Sequence, residues 1–243
     1  MIVLRSLVFN TVFYLNLFGR MLFGLHYLWG PRITAIRALQ RWATSSLWLL
    51  DVICNIKMEV RGREHLPRGA ALVAGKHHSF WETFAVLPLL DDPCFVMKAQ
   101  LFKIPLFGHF GKKFEMIGVD REAGSASVRK LMSDARNQIA KGRQIIIMPE
   151  GTRRAPGDPP AYRSGAAALY KQLDVACIPF GLNAGLFWPR RKFLRYPGTI
   201  VIEFCPPIPP GLTRQEFQMR LENAIETSTQ RLLAEAKAAL VQK

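Results

Sequence analysis

The spacing of apolar and polar positions changes several times along this chain, and each change marks an element. From 1 to 29 the apolar residues are almost unbroken: the stretch 6–19 carries no charge, Arg20 interrupts, and the run resumes to Trp29. Residues 31–53 then repeat Ile36, Leu39, Ala43, Leu47 and Leu50 at helical spacing, behind a proline suited to a first helical turn. From Ile56 the pattern becomes strands alternating with helices. Strands are expected at 56–60, 71–74, 94–97, 116–119, 144–148, 175–180 and 199–204. Helices are expected from Ser79 onward, at 125–140 and at 166–173. In the 125–140 segment Val128, Leu131, Met132, Ala135 and Ile139 share one face, and Gly142 follows as a stop. Thr213 and Glu216 have the spacing of a capping box opening a long final helix.

Strands separated by helices imply a mostly parallel sheet with helices on its faces, so the fold class is α/β. The expected division is 1–54 as N-terminal membrane-associating helices and 55–243 as the α/β domain. The 243 residues are enough for one such domain with a buried core. Cys54, Cys94, Cys177 and Cys205 are far apart and lack zinc spacing. They read as reduced thiols, with Cys177 and Cys205 in the core.

Charge changes the picture next. Lys and Arg outnumber Asp and Glu by 33 to 18, a net charge of +15 that favours anionic partners. The stretch 6–19 alone is too short for the roughly 20 helical residues that cross a bilayer, but joined across Arg20 it is long enough. A signal anchor and a helix lying in the interface both fit; cleavage is disfavoured because no small-x-small site follows. Arg32, Arg37 and Arg41 make a basic flank, which suits the cytoplasmic side of an inner membrane. Further basic residues cluster at Lys98, Lys103, Lys112 and Lys113, and at Arg190, Arg191, Lys192 and Arg195. The run Phe187-Trp188-Pro189-Arg190-Arg191 mixes aromatic and cationic groups as an interface does.

The candidate chemistry begins at Lys76-His77-His78-Ser79-Phe80-Trp81-Glu82. Successive residues of an extended chain point to opposite sides, so His77 and His78 are not expected to serve one site together. His77 has the five-residue spacing to Glu82, and a carboxylate in a first helical turn can reach back to orient the ring of a general base. Ser79 reads as a capping or positioning residue. No metal-ligand cluster accompanies the pair, and neither a metal nor another cofactor is expected.

The chain resembles the glycerophospholipid acyltransferases, specifically the 1-acyl-glycerol-3-phosphate acyltransferases, in four ordered blocks. The first runs from His77 to Glu82 and the second from Phe114 to Arg121. The third is Met148-Pro149-Glu150-Gly151-Thr152-Arg153, and the fourth is Ile178-Pro179-Phe180-Gly181-Leu182-Asn183. Glu82 departs from the family's usual aspartate but keeps the carboxylate. The resemblance implies His77 and Glu82 as catalytic residues, with Arg121, Glu150, Gly151, Thr152, Arg153 and Pro179 at the substrate. For Glu150 it leaves substrate binding and loop structure both open.

The chemistry agrees with this resemblance. Acyl transfer needs a base, donors for an oxyanion and a cation for the acceptor's phosphate; Arg121 and Arg153 offer forked donors for the last. Gly151 lets the backbone approach a ligand closely. The expected activity is transfer from acyl-CoA or acyl carrier protein to 1-acyl-glycerol-3-phosphate, giving phosphatidate at a membrane surface. Glycerol-3-phosphate or a lyso-aminolipid are the alternative acceptors. A basic non-enzymatic protein, bound to membrane or nucleic acid, accounts for the charge but not for four ordered blocks, so no nucleic-acid partner is expected. A hydrolase is disfavoured by the lack of a Gly-x-Ser-x-Gly elbow. A chain beginning near Pro31 is expected to bind membranes more weakly and more salt-sensitively and to act poorly on bilayer-embedded acceptor, yet to retain some turnover on a soluble short-chain acceptor.

Overall fold

The computed structural model describes residues 1–120 and 124–241. Two antiparallel-packed helices come first, α1 (Ile2–Phe23) and α2 (Arg32–Cys54). A seven-stranded sheet follows: β1 (Ile56–Arg61), β2 (Ala71–Gly75), β3 (Pro93–Lys98), β4 (Ile117–Val119), β5 (Gln144–Ile147), β6 (Cys177–Leu182) and β7 (Gly198–Phe204). The order across the sheet is β1-β7-β6-β2-β5-β3-β4. Strands β6, β2, β5, β3 and β4 run one way; β7 is antiparallel to β6, and β1 follows β7. The mostly parallel α/β expectation holds, with a reversed pair at one edge.

The remaining helices are α3 (Glu82–Ala85), α4 (Phe107–Lys113), α5 (Gly124–Ala140), α6 (Gly165–Leu173), α7 (Ala184–Phe187) and α8 (Arg214–Val241). The capping box forms: Glu216 N–H donates to Thr213 Oγ1 at 3.2 Å, and Thr213 N–H donates to Glu216 Oε2 at 3.0 Å. Three elements differ from expectation, among them the unforeseen single turn α7. The helix after Ser79 is a single turn, because Pro88 follows closely and the chain continues as a 3-10 turn at 87–89. Helix α4 is unforeseen: Gly108 and Gly111 lower its helix propensity, and tertiary packing overrides them.

Each face of the sheet carries a hydrophobic core. On one face Phe9 and Phe13 of α1 and Trp42, Ala43 and Leu50 of α2 pack with Val73, Ile146, Ile200 and Phe204. The first two helices therefore share a core with the sheet. On the other face α5, α6 and α8 cover Leu72, Ala74, Ile145 and Ile147. All four cysteines are free and buried.

Candidate active site

Strands β6, β2 and β5 are neighbours and parallel, so their C-terminal ends open on one edge of the sheet. That is where ligands bind in open α/β sheets. Residues 76–82 leave β2, residues 148–154 leave β5, and Asn183 leaves β6. Blocks far apart in sequence meet there because the topology returns each strand to the same edge.

The 76–82 turn builds a carboxylate-oriented imidazole. His77 Nδ1 lies 2.7 Å from Glu82 Oε1. A carboxylate only accepts, so Nδ1 carries the proton and Nε2 keeps its lone pair. Glu82 is fully buried, and its other bonds come from Ser79: the backbone N–H to Oε1 at 2.7 Å and the hydroxyl to Oε2 at 3.1 Å. Ser79 Oγ also accepts from Trp81 N–H at 2.9 Å, so the hydroxyl is spent on holding the turn. Burying an unbonded carboxylate costs several kcal/mol, and these bonds offset that cost. His78 is 1% exposed; burial pushes its pKa down to about 4, Glu82 opposing and Lys76 and His77 adding to the lowering.

The loop after β5 is fastened to this turn. Arg154 N–H donates to His77 O at 2.8 Å. Lys76 Nζ donates to Glu150 Oε1 at 3.1 Å and to Glu226 Oε1 of α8 at 2.6 Å, and Tyr162 donates to Glu226 at 2.9 Å. Glu150 is 1% exposed. Of the two readings left open for it, loop structure is the one its partners support. Gly151 has φ +66°, a left-handed conformation glycine adopts without Cβ strain, and its N–H closes the turn on Met148 O. Thr152 and Arg153 follow, half-buried. Burial lowers the pKa of the Arg153 guanidinium; Glu82 opposes, while Arg190 and Arg191 add to the lowering. Arg153 thus lies within electrostatic range of the carboxylate that orients His77.

Pro179 lies in the middle of β6, paired with Ala74. Leu72 N–H bonds to Ala176 O and Lys76 N–H to Phe180 O, so the even-numbered residues of β6 face β2. Pro179 turns the other way, where its carbonyl accepts from Cys205 N–H at 2.8 Å, and its missing N–H costs β2 nothing. Next to it, a Cβ on Gly75 would fall 2.1 Å from the Phe180 ring, so glycine is needed where β2 ends. Arg121 lies outside the described residues.

Lys76, Tyr162 and Glu226 had no forecast role at the site. Ser79 was legible as a capping residue. Glu226 carries no local signal, since it reaches Lys76 only through the path of α8.

Comparison with known proteins adds to this geometry. The family model described as Acyltransferase matches residues 57–183. A 1-acyl-sn-glycerol-3-phosphate acyltransferase of Pseudomonas aeruginosa is 32% identical over 69% of this chain and 65% of its own length. One of Limnanthes alba is 27% identical over 67% of this chain and 57% of its length. The chain thus spans somewhat under two thirds of these relatives. A lyso-ornithine lipid O-acyltransferase of Pseudomonas aeruginosa is 31% identical over 81% of this chain and 80% of that protein. The crystal structure of a 1-acyl-sn-glycerophosphate acyltransferase from Thermotoga maritima shares the fold, with TM-score 0.76 over 96% of this chain and 99% of that one at 19% identity.

Proposed function

The chain belongs to the acyltransferase family, and on that premise we propose that it acylates the free hydroxyl of 1-acyl-glycerol-3-phosphate to give phosphatidate. The observation that carries this reading is the His77–Glu82 pair, fastened through Arg154 to the loop that bears Arg153. The donor is an acyl thioester of coenzyme A or of acyl carrier protein.

The residues then have these roles. His77 Nε2 takes the proton of the acceptor hydroxyl as its oxygen attacks the thioester carbonyl. Glu82 holds the ring and stabilises the imidazolium. The tetrahedral intermediate collapses by breaking the C–S bond, and the leaving thiolate recovers the proton from His77. Arg153 and Arg121 bind the acceptor's phosphate, Gly151 and Thr152 shape the loop at the substrate, and Pro179 shapes the floor of the site beside Gly75.

Residues 1–54 are the membrane-associating part in this reading, and 55–243 carry the chemistry. Helix α1 is long and apolar enough to cross a bilayer, and it leaves Leu4, Leu7, Leu15, Phe18 and Leu22 exposed. Its basic flank suits the cytoplasmic face of the inner membrane.

Membranes containing the protein, supplied with radiolabelled acyl thioester and a panel of lysophospholipids, test the reading. Phosphatidate is the expected product. The similarity to a lyso-ornithine lipid acyltransferase across most of both chains favours one second reading, a lyso-aminolipid acceptor. Label in a diacyl aminolipid and none in phosphatidate would select it.

A further inference from the structure

The cationic turn after α7 has no part in the four blocks, yet it touches the site. Arg190 Nη1 donates to Arg153 O at 2.7 Å. The peptide unit it contacts, between Arg153 and Arg154, is the same one whose N–H donates to His77 O. One planar group therefore ties the base's backbone on one side to the Arg190 guanidinium on the other. A guanidinium has five N–H donors, so this bond leaves several for a ligand.

We propose that Arg190 is a further guanidinium for the acceptor's phosphate, held beside Arg153 by a turn that the N-terminal helix keeps in place.

Three observations carry the inference, which rests on the phosphate-acceptor reading above. First, positive charge is gathered without an ion-paired carboxylate, Glu82 being in electrostatic range of Arg153 but bonded to His77 and Ser79. Arg190 and Arg191 both lie within electrostatic range of Arg153, and among the described residues none of the three has a carboxylate at ion-pair distance. Like charges brought together with no ion-pair partner call for an anion, and forked guanidinium groups suit a phosphate. Second, the turn is under constraint. Lys192 N–H bonds back to Pro189 O, and Arg191 sits at φ +56°, an uncommon conformation for a residue with a side chain. Backbone outliers of this kind gather at ligand-binding segments.

Third, the turn is built to stay put. Arg195 stacks on Trp188 with 4.2 Å to the ring centroid, and its Nη1 donates to the carbonyls of Lys192, Phe193 and Leu194. Helix α1 adds three bonds. Ser6 Oγ accepts from Arg195 N–H at 2.9 Å, Asn10 Oδ1 accepts from Arg195 Nη2 at 3.0 Å, and Asn10 Nδ2 donates to Phe193 O at 3.1 Å. An unused basic surface loop would not need such a frame.

Acceptor and donor both offer phosphates. The acceptor's phosphate is separated from the reacting hydroxyl by only two carbons and an ester oxygen. A coenzyme A donor carries its phosphates at the far end of the pantetheine arm, and acyl carrier protein carries one there too. A cation beside Arg153, within range of the carboxylate that orients the base, therefore fits the acceptor.

Full-length Arg190→Gln in membranes or detergent tests this, with kcat and KM measured for both substrates. The expected result is an acceptor KM raised about 10-fold or more, the effect of losing hydrogen bonds to a charged group, with donor KM unchanged. Arg190→Lys keeps the charge without the fork and should fall between, which also covers a Gln variant that folds poorly. Asn10→Ala should raise the acceptor KM in the same selective way. A rise in donor KM would assign the anion to the donor, and a fall in kcat with both KM values intact would make Arg190 a loop support; either overturns the proposal. An unaltered acceptor KM beside an active wild type sinks this inference alone, whereas a wild type inert toward every phosphorylated acceptor sinks the proposed function and this inference with it.

Discussion

At the scale of single residues, the site separates charge from geometry. In Glu82→Gln the amide oxygen can keep the bonds from His77 and Ser79 N–H, while Ser79 Oγ turns to accept from the new amide. The substitution therefore removes charge and little else. His77→Ala is expected to lower kcat by about 10²–10⁴-fold, the usual worth of a general base. Glu82→Gln should approach that loss and Glu82→Asp should fall short of it, with thermal midpoints reported alongside. An Asp variant worse than the Gln variant would rank reach above charge. His78 makes a different prediction. Its unfolded pKa is near 6.5 and its folded pKa about 4, so the unfolded chain binds the proton first as pH falls. The stability it contributes is complete above pH 6.5 and declines toward pH 4, by about 2 kcal/mol at pH 5. In His78→Gln, thermal midpoints at pH 7 and pH 5 should lie closer together than in the wild type; an unchanged gap would count against a buried neutral imidazole. The His77–Glu82 pair was readable because five residues of a tight turn connect it. The Lys76–Glu150–Glu226 cluster was not, because its members come from the ends of β2 and β5 and from the far side of the chain.

At the scale of elements, α1 has two unlike sides. Asn10, Asn16 and Ser6 bond to neighbouring elements, and Phe9 and Phe13 are buried at 0% and 2% exposure. Phe13 sits 5.6 Å from the Phe84 ring, 5.8 Å from Trp42 and 6.1 Å from Phe80, inside the turn that carries His77 and Glu82. This revises the expectation for a chain beginning near Pro31. Removing α1 uncovers Trp188, Phe84 and Trp42 and deletes the bonds to Arg195, so turnover should fall sharply even on a soluble acceptor. Phe13→Ala alone should cost about 3–5 kcal/mol, as large-to-small changes of buried aromatic residues do, read as a drop in thermal midpoint. A truncated protein with full turnover on a soluble acceptor would show the helix to be dispensable for the site. The strands, and the helices α2, α5, α6 and α8, were legible to within about two residues, because period two and period 3.6 differ plainly in these segments; the short helices α3, α4 and α7 were not. The sequence of α1 showed apolar character but not its division between core and exterior. Aromatic residues occupy both sides, so composition alone cannot say which ones the domain claims.

At the scale of the whole molecule, basic charge and apolar exposure act together. High salt should weaken the attraction between the +15 chain and anionic lipid, whereas apolar contacts persist. Full-length protein is thus expected to stay on vesicles through a high-salt wash, and its release would overturn the membrane role of 1–54. Activity should also survive prolonged chelation, since the proposed steps use only His77, Glu82 and guanidinium groups; a loss restored by zinc would refute that chemistry.

The locking of α1 to the sheet through Phe9 and Phe13 has a consequence for kinetics. A helix fixed on one side can offer lipid only its other side, so once adsorbed, the site rides at a set height above the surface. In the proposed function it then meets acceptor by lateral diffusion within one leaflet. The quantity that governs rate becomes the mole fraction of lysolipid in that plane, not its bulk molarity. Diluting the surface with inert phospholipid at constant total acceptor should slow the reaction in proportion, while enlarging the volume at constant surface composition should leave it unchanged.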